Sequence, residues 1–237
     1  MGDHFVSVII PTLNEEKYIQ VALNALRNQD YKGKYEIIIS DGGSKDSTIK
    51  IARKYADKIV VTKNKGPAAG RNAGAKDASG DILLFIDADT LLLFNGLTEI
   101  VRAFKNGVIV GATCPVIPLS HQAKDFAIYW FYTQFAKTSI KFNRVHIAGI
   151  CCAYKKKAFE QVGGFDEELI FSEDMDFSRR ISKLGEVAFT DKTIALTSTR
   201  RFERWGRTRG AGKYLAFYLN YLLRKKSVSL KYFKPVR

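Results

Sequence analysis

The run Ile82-Leu83-Leu84-Phe85-Ile86 constrains the fold more than any other stretch of the chain. Its unbroken apolar character predicts a strand buried on both faces, as in a parallel sheet covered by helices. The run stops at Asp87-Ala88-Asp89-Thr90. Read as extended backbone, Asp87 and Asp89 point to one side and converge just past the strand's end. In open α/β sheets that crevice is where ligands sit. Two anionic oxygens there suit a hard divalent cation, which in turn holds phosphate oxygens. An Asp-rich turn is the plain alternative, so the other segments must decide.

They repeat the pattern. Phe5 to Ile10 is an apolar run ended by Pro11. Thr12 with Glu15 fits a capping box, or Asn14 caps instead, and Ile19, Ala22, Leu23 and Leu26 then mark a helix to about Asn28. Glu36 to Ser40 is a second strand, ending in Asp41-Gly42-Gly43-Ser44, with a helix from Asp46-Ser47-Thr48 through Tyr55. Lys58 to Thr62 reads as a third strand, and Gly66 to Gly74 opens a small-residue helix reaching about Asp77. Strand and helix alternate, so the expected class is α/β, a mostly parallel central sheet with helices on both faces.

After Thr90 the pattern loosens. Helices are expected near Gly96 to Lys105, Phe126 to Ala136, Lys157 to Val162, and from Ser172 as N-cap to about Leu184. Strands are expected at Val108 to Thr113, Cys151 to Tyr154, Val187 to Thr190 and Ile194 to Thr197. A last helix over Tyr214 to Leu223 is apolar nearly all round, with Tyr214, Phe217, Tyr218 and Tyr221 on one stripe. It is too short to span a bilayer. It either lies in a membrane interface or is a buried packing helix.

Charge is uneven. Residues 200–237 hold twelve Lys and Arg against the single acid Glu203, a local +11 out of a net +14. Such a tail wants an anionic partner: phosphate, an anionic membrane or nucleic acid. Cys114, Cys151 and Cys152 show no metal-ligand spacing. With no secretory leader read at Met1-Gly2-Asp3-His4, they are expected as reduced thiols of a cytosolic chain.

Thr12 to Glu15, Asp41, and Asp87 with Asp89 thus stand at three strand ends facing one crevice. Gly42 and Gly43 let backbone approach a ligand beside Asp41, whose carboxylate is expected to accept a base N–H. Arg71 falls at the start of a helix, where a cation opposes the dipole, so an anion is expected near it.

The ordered segments Ile9-Ile10-Pro11-Thr12-Leu13-Asn14-Glu15, Asp41-Gly42-Gly43-Ser44-Lys45-Asp46, Gly70-Arg71-Asn72-Ala73-Gly74 and Asp87-Ala88-Asp89 resemble the family 2 glycosyltransferases with the GT-A fold. Gly163-Gly164-Phe165-Asp166 and Ser172-Glu173-Asp174 resemble that family's acceptor-side motifs. The likeness covers roughly residues 5 to 205. It implies a GT-A-like single domain over 1–199, with a nucleotide-sugar half (1–90) and an acceptor half (91–199), followed by a basic helical tail at 200–237. It also implies inverting transfer from a nucleotide-diphosphate sugar to an acceptor hydroxyl, with Mg²⁺ or Mn²⁺.

By the same resemblance Pro11, Thr12, Glu15, Asp41 and Arg71 hold the nucleotide, Asp87 faces the ribose or the metal, and Asp89 holds the metal. Asp174 is the implied base, beside Glu173 on the acceptor side. Arg201-Phe202-Glu203-Arg204-Trp205 resembles the Arg-x-x-Arg-Trp motif of polymer-making members, whose flanking transmembrane helices this chain does not show. There Arg201 and Arg204 would bind diphosphate as forks and Trp205 would stack on a sugar.

The acceptor is expected to be a glycan or a lipid-linked molecule. Residues 200–237 would dock on an anionic membrane surface, peripheral to its cytoplasmic face. A nucleotidyltransferase on a similar sheet is the competing enzyme reading. The acidic Pro11-to-Glu16 loop stands where that class carries a basic, Gly-rich phosphate loop. A nucleic-acid-binding protein is the non-enzyme reading; it predicts salt-dependent binding, but the tail's aromatics are not interleaved along a groove.

Overall fold

The computed structural model describes residues 4–62, 66–169 and 172–224. Strands β1 (Val6–Thr12), β2 (Tyr35–Asp41), β3 (Lys58–Val61) and β4 (Ile82–Ile86) are parallel and alternate with helices α1 (Ile19–Arg27), α2 (Thr48–Ala52) and α3 (Pro67–Lys76). Then come β5 (Thr90–Leu92), α4 (Gly96–Ala103), β6 (Ile109–Thr113), β7 (Val116–Leu119) and α5 (Ala123–Lys141). They are followed by β8 (Cys151–Lys155), α6 (Lys156–Gln161), α7 (Glu173–Ile181), β9 (Glu186–Phe189), β10 (Ala195–Ser198), α8 (Arg200–Trp205) and α9 (Arg207–Arg224). The main sheet is seven-stranded, ordered β3-β2-β1-β4-β8-β6-β9, with β8 antiparallel to both neighbours. A second sheet orders β5-β10-β7.

The apolar strands bury both faces, as their sequence demands. Val8, Ile10, Ile37, Ile39, Leu84 and Ile86 pack under α1 and α4. Ile9, Ile38, Leu83 and Phe85 face the opposite layer, with Phe159 of α6 and Phe177 of α7. α3 lies close to β1: a Cβ on Gly74 would collide with Ile9, which is why small residues dominate that helix.

Several expectations change. No capping box forms at Thr12 and Glu15. Thr12 ends β1, Asn14 is left-handed, and α1 begins at Ile19. Ser172 sits at the N-cap of α7, but in a left-handed conformation and without a side-chain cap bond. Asp87 to Thr90 is a turn rather than extended backbone, closed by Thr90 N–H to Asp87 O at 3.1 Å. The alternation rule therefore does not apply there: Asp87 pairs with Arg71, and Asp89 with Ser198 and Arg200.

β5, β7 and α8 carry no sequence signal of their own. The last helix starts at Arg207, earlier than its apolar run. Its Phe217 and Tyr221 are buried and Tyr214 and Tyr218 half-buried, so the aromatic stripe faces the protein. Residues 225–237 of the basic tail lie outside the described residues. Among the described residues no helix is long and apolar enough to cross a membrane.

Candidate active site

The carboxyl ends of β1, β2 and β4 meet where the parallel register puts Thr12 opposite Asp41. Asp41 is fully buried and its oxygens are filled. Oδ1 accepts from Thr12 Oγ1 (2.9 Å) and Ser44 Oγ (2.5 Å), while Oδ2 accepts from the N–H groups of Gly43 (2.8 Å) and Ser44 (2.7 Å). In this arrangement Asp41 shapes the loop after β2. Pro11 packs beside Gly70 of α3.

Arg71 is the fifth residue of α3, not in its first turn, and is buried. The anion expected near it comes from the protein itself. Nη1 donates to Glu173 Oε1 at 2.7 Å; Nη2 donates to Asp87 Oδ1 and to the Gly149 carbonyl, both at 3.1 Å. Burial would lower the guanidinium's pKa, but Asp87 and Glu173 outweigh it and hold the charge. Its Nε has no partner. A side chain at Gly149 would strike the guanidinium, so this close approach requires glycine.

Asp87 is pushed up by burial and by Asp89, while Arg71 and Arg201 oppose. Glu173 is raised too, first by burial and then by Asp174, with Arg71 opposing. Asp174 is oriented by backbone: Oδ2 accepts from Gly149 N–H and Oδ1 from Met175 N–H, both at 2.8 Å. One short strip of chain around Gly149 therefore ties the β4 end to the first turn of α7.

Asp89 has other partners. Its Oδ2 accepts from Ser198 Oγ at 2.7 Å and lies 2.9 Å from Arg200 Nε. Arg200 also grips Glu15 through two contacts, of 2.6 and 2.8 Å, and lies over the Tyr18 ring. A depression of about 290 Å³ adjoins this cluster, lined in part by Tyr18, Asp89, Ser198 and Arg200. Arg201 donates to Tyr214 Oη at 3.3 Å, Trp205 stands half-buried near the Tyr214 ring, and Arg204 is exposed. Arg200, one position before the motif singled out in the sequence, thus closes on Glu15 and Asp89, while Arg201 acts on Asp87 through its charge. No spacing marked Arg200, nor Ser198 or Gly149.

Among the described residues no cluster of three or more His, Cys, Asp or Glu side chains could hold a metal alone. Asp87 and Asp89 supply hard oxygen donors. Mg²⁺-type sites commonly use one or two carboxylates and complete themselves with substrate phosphates. Arg200 already places positive charge against Asp89. The donor set therefore fits a divalent ion that arrives with a diphosphate.

Residues 7–163 match the sequence profile of Glycosyl transferase family 2. The chain belongs to glycosyl transferase family 2. It is 44% identical over 92 residues to Glycosyltransferase AglE of Haloferax volcanii, which covers 36% of this chain and 30% of that protein. It is 27% identical over 249 residues to the Methanococcus voltae dolichyl N-acetyl-alpha-D-glucosaminyl phosphate 3-beta-D-2,3-diacetamido-2,3-dideoxy-beta-D-glucuronosyltransferase, covering 92% and 75%. Mannosyltransferase PcManGT of Pyrobaculum calidifontis, solved with GDP-Man and Mn²⁺, superposes with a TM-score of 0.73 at 23% identity, covering 95% of this chain and 66% of that one. The fold of this family 2 member is therefore GT-A, an α/β domain with a mostly parallel central sheet. The chain spans less than a third of AglE's length.

Proposed function

We propose that this family 2 member is an inverting glycosyltransferase, moving a sugar from a nucleotide-diphosphate sugar to the hydroxyl of a glycan or lipid-linked acceptor. The observation that carries the reading is the buried Arg71, which joins Asp87 on the donor side to Glu173 beside Asp174. The names of relatives support the donor and acceptor classes: one solved neighbour holds GDP-Man, and one relative acts on a dolichyl phosphate sugar.

Pro11, Thr12, Glu15, Asp41 and Arg71 frame the nucleotide pocket in this reading. Asp89, with Asp87, would hold Mg²⁺ or Mn²⁺. When bound, that ion stabilises the charge that grows on the departing diphosphate. Arg201 and Arg204 add cationic forks for the same charge. Trp205 offers an aromatic face to a sugar. Asp174 takes the acceptor proton from the face opposite the leaving group, which is the geometry inversion requires. Its two backbone donors fix the carboxylate's direction. The division into a donor half (1–90), an acceptor half (91–199) and a tail from residue 200 belongs to the same proposal.

The test is donor hydrolysis and transfer with added Mn²⁺, comparing the wild type with Asp89→Ala and Asp174→Asn. Loss in both supports the assignment. Equal activity of Asp89→Ala and wild type rejects the metal role.

A further inference from the structure

Helix α5 turns large aromatics outward, while Ile128, Tyr132 and Ile140 pack inward. Its buried stripe is Asp125, Tyr129, Thr133, Ala136 and Ser139. Its exposed face carries Phe126, Trp130, Phe131 and Phe135, and Phe142 follows at its C-cap. Trp130 is 58% exposed, Phe131 67% and Phe142 69%. Soluble domains scatter single apolar residues over their surface, and four large aromatics on the exposed side of one helix go beyond such scatter. The neighbouring helix α9 adds Leu215, Leu219 and Leu223, a stripe at helical spacing that is also exposed. The two helices touch where the Phe135 ring meets the Tyr218 ring edge-on at 5.6 Å.

Charge selects the occupant. α5 and α9 contain one acid, Asp125, which is buried and paired with Arg207. The exposed cations Lys124, Lys141 and Arg144 lie on α5 and just beyond it, and Arg209 lies on α9. Arg144 borders a depression of about 530 Å³ shared with Phe135, Phe142, His146 and Tyr218. A second copy would bring the same patch against itself and oppose like charges. Trp and Phe beside Lys and Arg, with the exposed Asp191 carboxylate paired to Lys137 of α5 at 2.6 Å, match a bilayer interface carrying anionic lipid.

We infer that the outer faces of α5 and α9 form a docking surface for an anionic lipid bilayer, with the α5 aromatics entering the headgroup region. The consequence for catalysis rests on the transferase reading above. Tyr132 of α5 accepts the Ala148 N–H at 2.5 Å, one residue from the Gly149 N–H that holds Asp174. Docking through α5 therefore sets the acceptor side of the cleft against the membrane, where a lipid-linked hydroxyl arrives.

The full chain should sediment with phosphatidylcholine vesicles containing phosphatidylglycerol, and about tenfold less with phosphatidylcholine alone. Trp130→Ser with Phe131→Ser should cut partition to anionic vesicles about tenfold or more, with donor hydrolysis in vesicle-free solution unchanged. A blue shift of tryptophan emission on vesicle binding should shrink in Trp130→Phe, which keeps the apolar surface. No partition, equal partition to neutral vesicles, or undiminished binding of the double variant overturns the inference. So does a dimer in solution that the double variant abolishes. Vesicle binding without donor turnover would instead sink the transferase reading alone.

Discussion

Arg200 and Glu15 stand 185 positions apart in sequence and form a two-armed ion pair, Nη1 to Oε2 at 2.6 Å and Nη2 to Oε1 at 2.8 Å. Both are nearly buried. The contact fastens the start of α8 to the loop after β1, and Arg200 reaches Asp89 from the same position. The loop after β1, the turn after β4 and the start of α8 are thereby held by one guanidinium.

Removing that guanidinium strands Glu15. Burial already raises its pKa, and Arg200 is the chief opposing influence. Arg200→Met should cost about 3 kcal/mol at neutral pH, the scale for breaking a buried pair. With Glu15 shifted further up, its ionisation opposes folding. The deficit is therefore smallest below its unfolded pKa and grows as pH rises through the folded one. Urea denaturation of the wild type and variant at acidic and neutral pH checks this, and Arg200→Met with Glu15→Gln should recover part of the loss.

Arg71 pairs with carboxylates from the turn after β4 and the first turn of α7. Arg71→Met should destabilise by about 3–5 kcal/mol and abolish detectable turnover. Arg71→Lys keeps the charge, but a single ammonium cannot serve Glu173, Asp87 and the Gly149 carbonyl as a planar fork does. It should fold and still lose activity. Thermal melts paired with donor hydrolysis separate the two effects.

Asp174→Asn should lower the transfer rate about 10²–10⁴-fold, the range for losing a general base, with donor binding kept. Asp89→Ala should instead weaken Mn²⁺-dependent donor binding. A thermal-shift titration of nucleotide sugars with and without Mn²⁺ distinguishes them, since only ligand that binds the folded state raises the melting temperature.

His146 is depressed from 6.5 to about 4 by burial and, secondarily, by Arg179. Its Nδ1 has no partner, and its ring stacks on Phe135. The folded protein holds this imidazole neutral, while the unfolded chain takes up a proton below pH 6.5. The stability it contributes is present above pH 6.5 and is lost as pH falls toward about 4. Equilibrium unfolding across that window should show the decline, and His146→Phe should flatten it.

Much of the fold was readable because burial on both faces leaves an unmistakable trace. The runs Ile37-Ile38-Ile39 and Ile82 to Ile86 each supply both core layers. The elements that escaped, β5 and β7, are three and four residues long and exist only through pairing with β10. β7 even contains Pro118, tolerated because the strand is an edge. The acidic pair Asp87 and Asp89 was visible, but not the turn in which it sits. The aromatic character of α5 was visible as a helix, but which side faces outward was not.

The sequence by itself determined the order of strands and helices, the acids at the strand ends and the family, because apolar period and local motif chemistry are short-range properties. Only the tertiary structure decided which cation meets which carboxylate. Arg71 reaches 102 residues to Glu173 and Arg200 reaches 185 to Glu15. Partners that distant are chosen by how layers stack and where strand ends meet, and no local spacing encodes that choice.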